Sequence, residues 1–365
     1  MNSTRLDRLA HLLPAHQLDG VVIIPGPTLF YLTGLQFHLM ERPIVAFFLA
    51  GQPPALIAPE FECTKIAQPD AWQLFPWRDE EGVEGAFEAC CRSLNLSGKR
   101  LGVETLSMRV KEHTLLTTFA PEARLAPADT LIATLRATKD EEEIAHMRAA
   151  VRLAESVLEA TLPAIRTGMT EREVAAELMV GLLRAGTETV PFEPLVQTGP
   201  TGASPHAAAG DRRLAAGHLL IIDFGARVNG YVSDITRTFA IGQVDEEAQR
   251  IYRLVQEANR AGREAAAPDV PCQEVDRAAR RVIAGAGYGD YFTHRTGHGL
   301  GLQGHEPPYI VEGNERPLRP GMTFTVEPGI YVPGLGGVRI EDDVVITPSG
   351  AESLTTFPRQ LLHIG

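Results

Sequence analysis

The chain has 365 residues, of which 44% are hydrophobic and 22% are charged, as in ordinary folded globular proteins. This length favours two domains, because a typical domain has about 100–200 residues. The 46 acidic residues outnumber the 34 lysines and arginines and give a net charge of −12. Such an acidic surface repels phosphate groups, so we expect no binding to nucleic acid or to an anionic membrane.

The cysteine pattern and the residues near the start of the chain indicate the cellular compartment of the protein. Four cysteines, two of them adjacent at positions 90 and 91, do not form the pattern of a disulfide framework and fit a reducing environment. The longest apolar run near the start, at 44–50, is far shorter than the roughly 20 residues of a membrane span. No apolar segment precedes a small-residue cleavage site. We therefore expect a cytoplasmic protein.

The first part of the chain alternates between strand and helix patterns. Helical periodicity covers 5–17 and 80–96. Apolar, often β-branched runs bounded by turn residues predict strands at 21–24, 44–50, 55–58 and 100–104. This alternation predicts an α/β domain.

The pattern changes near residue 135. An acidic run at 139–144 begins a long amphipathic helix that continues towards residue 165. Thr170 and Glu173 then form a capping box for a second helix, which ends near Gly186. We place the boundary here and expect an N-terminal domain over 1–135 and a second domain over 136–365.

The second domain contains an internal repeat. A helix, a second helix and a strand hairpin occur over 140–241 and again over 245–347. The two hairpins are predicted at 219–241 and 322–347. Two such halves suggest a pseudo-two-fold axis; the alternative is that common helix signals coincide by chance.

The first hairpin carries two acids. Asp223 lies near the end of an apolar strand, and Asn229-Gly230 is a strong signal for a two-residue type I′ turn. With that turn Asp234 lies opposite Gly225, and Asp223 is its diagonal neighbour on the same face. Two buried carboxylates without a partner would be costly, and a cation between them removes that cost.

The second hairpin supplies two more acids, Glu327 and Glu341, in matching places, and His294, His298 and His305 lie between the hairpins. Four carboxylates and an imidazole suit a pair of divalent ions such as Mn²⁺. Two ions can lower the pKa of a shared water enough to supply hydroxide near neutral pH.

These residues also have ordinary interpretations. A single acid in a strand is usually exposed, and a single histidine is usually structural. The glycines within 297–304 match neither nucleotide-binding fingerprint. The ordinary interpretation is weakened because the ligand-type residues fall at corresponding points of the two repeats.

The segments around Asp223 and Asp234, at 294–306 and at 325–343 resemble the signatures of the pita-bread metallopeptidases. Within that superfamily the chain is similar to the Xaa-Pro peptidases, prolidase and aminopeptidase P. The resemblance covers nearly the whole length, including a domain that methionine aminopeptidases lack. It implies an α/β N-terminal domain and an α+β pita-bread catalytic domain with an internal pseudo-two-fold repeat.

The resemblance also implies two divalent ions, with Mn²⁺ expected and Co²⁺ or Zn²⁺ as alternatives. Asp223 and Asp234 would hold the first ion, His298 and Glu327 the second, and Asp234 and Glu341 would bridge both. All five positions carry the expected residue type. This argues against a metal-free relative such as creatinase and against a non-catalytic binding protein of this fold.

Further roles follow from the same resemblance. His206 and His305 would contact the substrate and stabilise the tetrahedral intermediate, and His294 would line the pocket for proline. Arg339 would lie near the bridging carboxylates and belong to the substrate-binding residues. Glu327 is the candidate that protonates the leaving amine. The expected reaction is hydrolysis of the bond before proline in small peptides, by a homodimer.

Prolidase and aminopeptidase P share these residues, so another feature must separate them. A strict dipeptidase needs a cation for the free carboxylate of proline. Arg42 is the first candidate and His38 the second; the alternative is that Arg42 pairs with Glu41 or another surface acid. We favour prolidase, with aminopeptidase P acting on longer peptides as the alternative.

Overall fold

The computed structural model describes residues 3–365. The chain divides into two units, Met1–Arg136 and Ala137–Gly365. None of the helices in the described part of the chain has the length and apolar character needed to cross a membrane.

The first unit contains a six-stranded sheet with the order β4-β3-β2-β1-β5-β6. Its strands are β1 Gly20–Ile23, β2 Val45–Leu49, β3 Ala55–Pro59, β4 Gln73–Trp77, β5 Arg100–Val103 and β6 Arg124–Pro127. Its helices are α1 Ser3–Leu12, α2 Pro27–Thr33, α3 Glu60–Cys63, α4 Glu84–Ser93, α5 Val110–Phe119 and α6 Asp129–Ala137.

The predicted strands of this unit lie at the centre of its sheet. Strands β1, β2 and β3 are buried along their whole length, as continuous apolar runs require. The first predicted helix ends earlier than expected, at Leu12, because a separate 3₁₀ turn, Pro14–His16, begins at a proline. The sequence pattern missed β4 and β6, the two edge strands, each of which contains a proline.

The second unit begins with α7 Glu141–Thr161 and α8 Glu171–Ala185. Asp140 and Thr170 form the capping boxes of the two helices with Glu143 and Glu173. Gly186 adopts a left-handed conformation, with φ of 89°, and ends α8 where the sequence predicted.

The rest of this unit contains two further helices and thirteen strands. The helices are α9 Glu246–Ala265 and α10 Cys272–Gly285. The strands of the first half, with the C-terminal one, are β7 Leu195–Thr198, β8 Leu219–Phe224, β9 Arg227–Val228, β10 Tyr231–Val232, β11 Ile235–Ile241 and β19 His363–Ile364. Those of the second half are β12 Gly297–Gly299, β13 Glu306–Ile310, β14 Thr323–Val326, β15 Gly329–Val332, β16 Gly336–Arg339, β17 Asp342–Thr347 and β18 Gly350–Ser353.

The two halves of this unit repeat the same order of elements. In each half two helices precede a long strand, a short hairpin and an antiparallel return strand: β8 pairs with β11, and β14 with β17. The sheets have the orders β7-β8-β11-β19 and β13-β12-β14-β17-β18. The predicted repeat and the predicted fold class, α/β followed by α+β, are confirmed.

The first hairpin has the predicted register. Asn229 and Gly230 have φ values of 49° and 82°, as a type I′ turn requires. The strand pairs on both sides of residue 234 place Asp234 opposite Gly225. A Cβ atom at Gly225 would lie 2.0 Å from the Ser233 carbonyl oxygen, so glycine alone permits this close approach.

Candidate active site

Side chains from both hairpins converge on one cavity of about 780 Å³ in the second unit. Asp223 lies near the end of β8, and Asp234 immediately precedes β11. Glu327 follows β14, Glu341 precedes β17, and His298 lies in the middle of β12. The cavity also receives side chains that the sequence singled out on other grounds: His206, His294, His305 and Arg339.

The acids and His298 form overlapping groups in the cavity. Ligand-type atoms of Asp223, Asp234 and Glu341 lie within 4.8 Å of one another, and the same holds for His298, Glu327 and Glu341. Nε2 of His298 lies 3.3 Å from a Glu327 oxygen and 3.8 Å from an Asp234 oxygen. Glu341 belongs to both groups, so two adjacent ions could share its carboxylate.

The electrostatics of this cluster fit a cationic occupant. Burial, followed by the charges of neighbouring acids, raises the pKa of Asp234 and of Glu341 well above the usual range. Burial likewise raises the pKa of Glu327 to about 7. Oδ1 of Asp223 is buried without a hydrogen-bond partner among the described residues. Divalent ions would supply the missing partner and the missing positive charge.

Hydrogen bonds fix the orientation of the candidate ligands. Nδ1 of His298 lies 3.2 Å from the Gly299 carbonyl and donates to it, which leaves the Nε2 lone pair for a metal. The Thr236 hydroxyl donates to Glu341 over 2.6 Å. The Arg339 guanidinium donates to Asp223, also over 2.6 Å.

Arg339 begins a chain of directed hydrogen bonds along one wall. It donates to the Tyr331 hydroxyl over 2.9 Å, and that hydroxyl donates to Nε2 of His294 over 2.7 Å. Nδ1–H of His294 donates to the Arg295 carbonyl. Burial lowers the pKa of His294 to about 4, so its ring is neutral and both ring nitrogens are used within the protein. The ring therefore offers an apolar surface to a substrate.

His305 lies beside the candidate ligand His298, with ring centroids 3.8 Å apart. Its Nδ1 accepts a hydrogen bond from Arg295 over 3.1 Å. Burial and the charge of Arg295 lower the pKa of His305. In the neutral ring the proton is therefore on Nε2, where it can be donated to a developing oxyanion.

His206 lies on an exposed loop at the rim of the cavity. Gln197, fully buried on β7, donates to the carbonyl oxygens of Pro205 and Ala207 on either side of it. The loop therefore has a fixed backbone although the His206 side chain is exposed.

Arg42 belongs to the first unit and is already paired there. It donates to both carboxylate oxygens of Asp79, at 2.9 and 2.6 Å, and to Glu41 over 2.7 Å. This is the alternative that the sequence left open. A role for Arg42 or for His38 in binding substrate stays a prediction.

Several residues of the site received no role from the sequence. Arg295 lies within the segment 294–306, which carries part of the family resemblance, and Tyr331 lies four residues after Glu327. Gln197 gives only a weak signal in the sequence, because it is a polar residue in a short strand whose first two residues are apolar. Pro191, Phe192 and Leu195 form an apolar wall of the cavity that no motif indicated.

A buried carboxylate cluster with an imidazole nitrogen and an adjacent neutral histidine has the residue types that a metal-dependent hydrolase requires. Comparison with protein families matches residues 145–348 to metallopeptidase family M24 and residues 5–138 to the Creatinase/Prolidase N-terminal domain. The chain belongs to metallopeptidase family M24 and is an enzyme of that family, which confirms the resemblance stated from its motifs.

Individual relatives match over almost the whole chain. The putative dipeptidase YkvY of Bacillus subtilis is 35% identical over 98% of this chain and 99% of its own length. The dipeptidase structure from Pyrococcus horikoshii has a TM-score of 0.94 at 39% identity, covering 99% of this chain and all of that one. The prolidase from Thermococcus sibiricus also has a TM-score of 0.94, at 33% identity and full coverage of both chains.

Proposed function

We propose that this protein is a dinuclear metallopeptidase that hydrolyses Xaa-Pro dipeptides and releases the N-terminal residue. The observation that carries the proposal is the single cavity in which four acids and His298 meet beside His305. The names of the relatives, dipeptidase and prolidase, support dipeptides as substrates. Residues 1–135 and 136–365 are the proposed N-terminal and catalytic domains.

The metal centre has two proposed sites. Asp223 and Asp234 would hold one ion, His298 and Glu327 would hold the other, and Asp234 and Glu341 would contribute to both sites. The predominance of carboxylate oxygens favours Mn²⁺, with Co²⁺ and Zn²⁺ as alternatives. When bound, the ions polarise the scissile carbonyl and lower the pKa of water.

The surrounding residues orient the substrate and move protons. His305 donates its Nε2–H to the oxyanion, and His206 closes the rim from its fixed loop. Glu327 carries a proton to the proline nitrogen, which must leave as an amine. The neutral ring of His294 packs against the proline ring. Arg339 holds Asp223 in place beside the substrate.

Location and assembly belong to the same proposal. Cys63, Cys90, Cys91 and Cys272 are all free, which is compatible with a reducing compartment such as the cytoplasm. A homodimer is proposed because closed two-fold dimers are the commonest oligomers.

The test compares hydrolysis of Ala-Pro with that of Ala-Pro-Ala after chelation and after restoring Mn²⁺. We expect Mn²⁺-dependent release of alanine from Ala-Pro and little from the tripeptide. A preference for Ala-Pro-Ala would instead identify an aminopeptidase P, and cleavage of neither peptide by metal-loaded protein would refute the substrate assignment.

A further inference from the structure

We propose that Arg295 binds the free carboxylate of the substrate and thereby selects dipeptides; this inference rests on the proposed function. The carboxylate of an Xaa-Pro dipeptide lies within one residue of the scissile bond, and consecutive Cα atoms are only about 3.8 Å apart. The group that binds it must therefore lie in the same cavity as the acids and His298.

Arg295 occupies the required position. It lines the cavity, and its Nη2 lies 3.1 Å from Nδ1 of His305. The His305 ring in turn lies 3.8 Å from that of His298. The guanidinium is thus separated from a candidate metal ligand by a single imidazole, a spacing that suits a carboxylate next to the scissile bond.

Arg295 makes no direct ion pair in the described part of the chain, although its charge acts at longer range on Glu327. Its side-chain hydrogen bond to His305 leaves other N–H donors available. Arg339, the other arginine in the cavity wall, is buried and pairs with Asp223 while donating to Tyr331 and Thr236. Arg295 is therefore the cation in this wall that can accept an anionic ligand.

The guanidinium is also held in one orientation. Its central carbon lies 4.4 Å from the centroid of the Tyr309 ring, and the His305 hydrogen bond fixes one edge. A planar guanidinium fixed in this way can present two donors to a carboxylate at a small entropic cost. Arg42 has instead committed two donors to Asp79 and one to Glu41.

The experiment removes the charge either from Arg295 or from the C-terminal carboxylate of the substrate. We measure kcat/KM of Mn²⁺-loaded protein for Ala-Pro and for its C-terminal amide, which has the same length without the negative charge. Arg295→Met should lower kcat/KM for Ala-Pro about 10- to 100-fold more than for the amide, mainly through KM. Arg295→Lys should retain part of the preference, because it keeps the charge but not the fork.

Two further variants make the comparison specific. Arg184→Met removes one exposed positive charge from α8 and should leave the preference for Ala-Pro unchanged. Arg42→Met tests the residue that the sequence favoured. Thermal melting of each loaded variant checks folding, and Arg295→Lys keeps the test possible if Arg295→Met does not fold.

The outcomes are distinct. Equal losses on Ala-Pro and its amide in Arg295→Met would overturn the inference and leave Arg295 as a support for His305. A changed preference in Arg42→Met, with none in the Arg295 variants, would also overturn it. If the unmodified protein cleaves neither substrate, the proposed function itself fails, and the inference fails with it.

Discussion

Acidic residues of the candidate site are buried, which costs folding free energy that a protein interior normally avoids. Asp234 and Glu341 are almost fully buried, and their pKa values are raised first by burial and then by the charges of neighbouring acids. Glu341 receives a hydrogen bond from Thr236, whereas one oxygen of Asp223 receives none among the described residues. Retaining such acids is understandable if their partner is a cation.

Neutral isosteres of these acids test that explanation. Asp234→Asn or Glu341→Gln should lower hydrolysis of Ala-Pro more than about 100-fold and reduce bound Mn²⁺ to at most one ion, because a shared ligand is lost. Metal content after dialysis and kcat are the measurements. Glu352→Gln, an exposed acid of β18 paired with Arg148, is the matched control and should behave like the unmodified protein. Full activity in Asp234→Asn would remove Asp234 from the proposed centre.

The residues that the sequence missed act through partners distant in the chain. Tyr331 joins Arg339 to His294, which lies 37 residues earlier, and Arg295 contacts His305 ten residues later. The acids could be predicted because each belongs to a strand or hairpin with a clear local pattern. Contacts across loops have no such pattern, so Tyr331 and Arg295 became visible only in the folded chain.

At the scale of helices, strands and turns, the sequence predicted best those features that depend only on neighbouring residues. The capping box of α8 and the turn at Asn229-Gly230 depend on a few adjacent residues, and both occur as predicted. Edge strands β4 and β6 were missed because proline weakens the strand pattern, while the sheet tolerates it at an edge.

One buried residue joins the two hairpins. Arg237, 1% exposed on β11, donates to the Glu341 carbonyl and to Asp342 on the second hairpin, and to the carbonyls of Phe357 and Pro358. Burial raises the pKa of Asp342, but Arg237 and Arg359 outweigh this and hold it below the usual range. Arg237 therefore fixes the backbone that carries Glu341.

Removing this arginine should destabilise the catalytic unit strongly. Arg237→Met leaves several buried acceptors without donors and should lower the free energy of unfolding by about 3–5 kcal/mol. Arg172→Met, which breaks the exposed pair with Asp211, should cost at most about 1 kcal/mol. Urea unfolding of both variants gives the comparison, and similar midpoints would show that the Arg237 network does not stabilise the hairpins.

For the whole molecule, the repeat was visible in the sequence because helix caps and hairpins recur in the same order. The sequence did not show which faces of the two halves meet, because that depends on contacts between strands of different halves, such as the hydrogen bond from the Thr238 hydroxyl of β11 to the Arg339 carbonyl of β16. The cavity arises where the two hairpins approach, and Thr236 illustrates this by bonding to Glu341 across 105 residues.

This arrangement makes the stability of the metal-free protein depend on pH. The pKa of Glu327 is raised by burial from 4.5 to about 7, and those of Asp234 and Glu341 are raised as well. The folded state therefore retains protons that the unfolded state releases, so the free energy of unfolding falls as the pH rises through this range.

We therefore expect chelated protein to lose stability between about pH 5 and pH 8, whereas Mn²⁺-loaded protein should not, because bound cations replace the protons. Urea midpoints measured across this range, with chelator and with saturating Mn²⁺, provide the test. Glu341→Gln, which removes one titrating carboxylate, should flatten the pH dependence of the chelated protein. Equal slopes with and without metal would mean that cations do not occupy the carboxylate cluster, and the metal centre would have to be sought elsewhere.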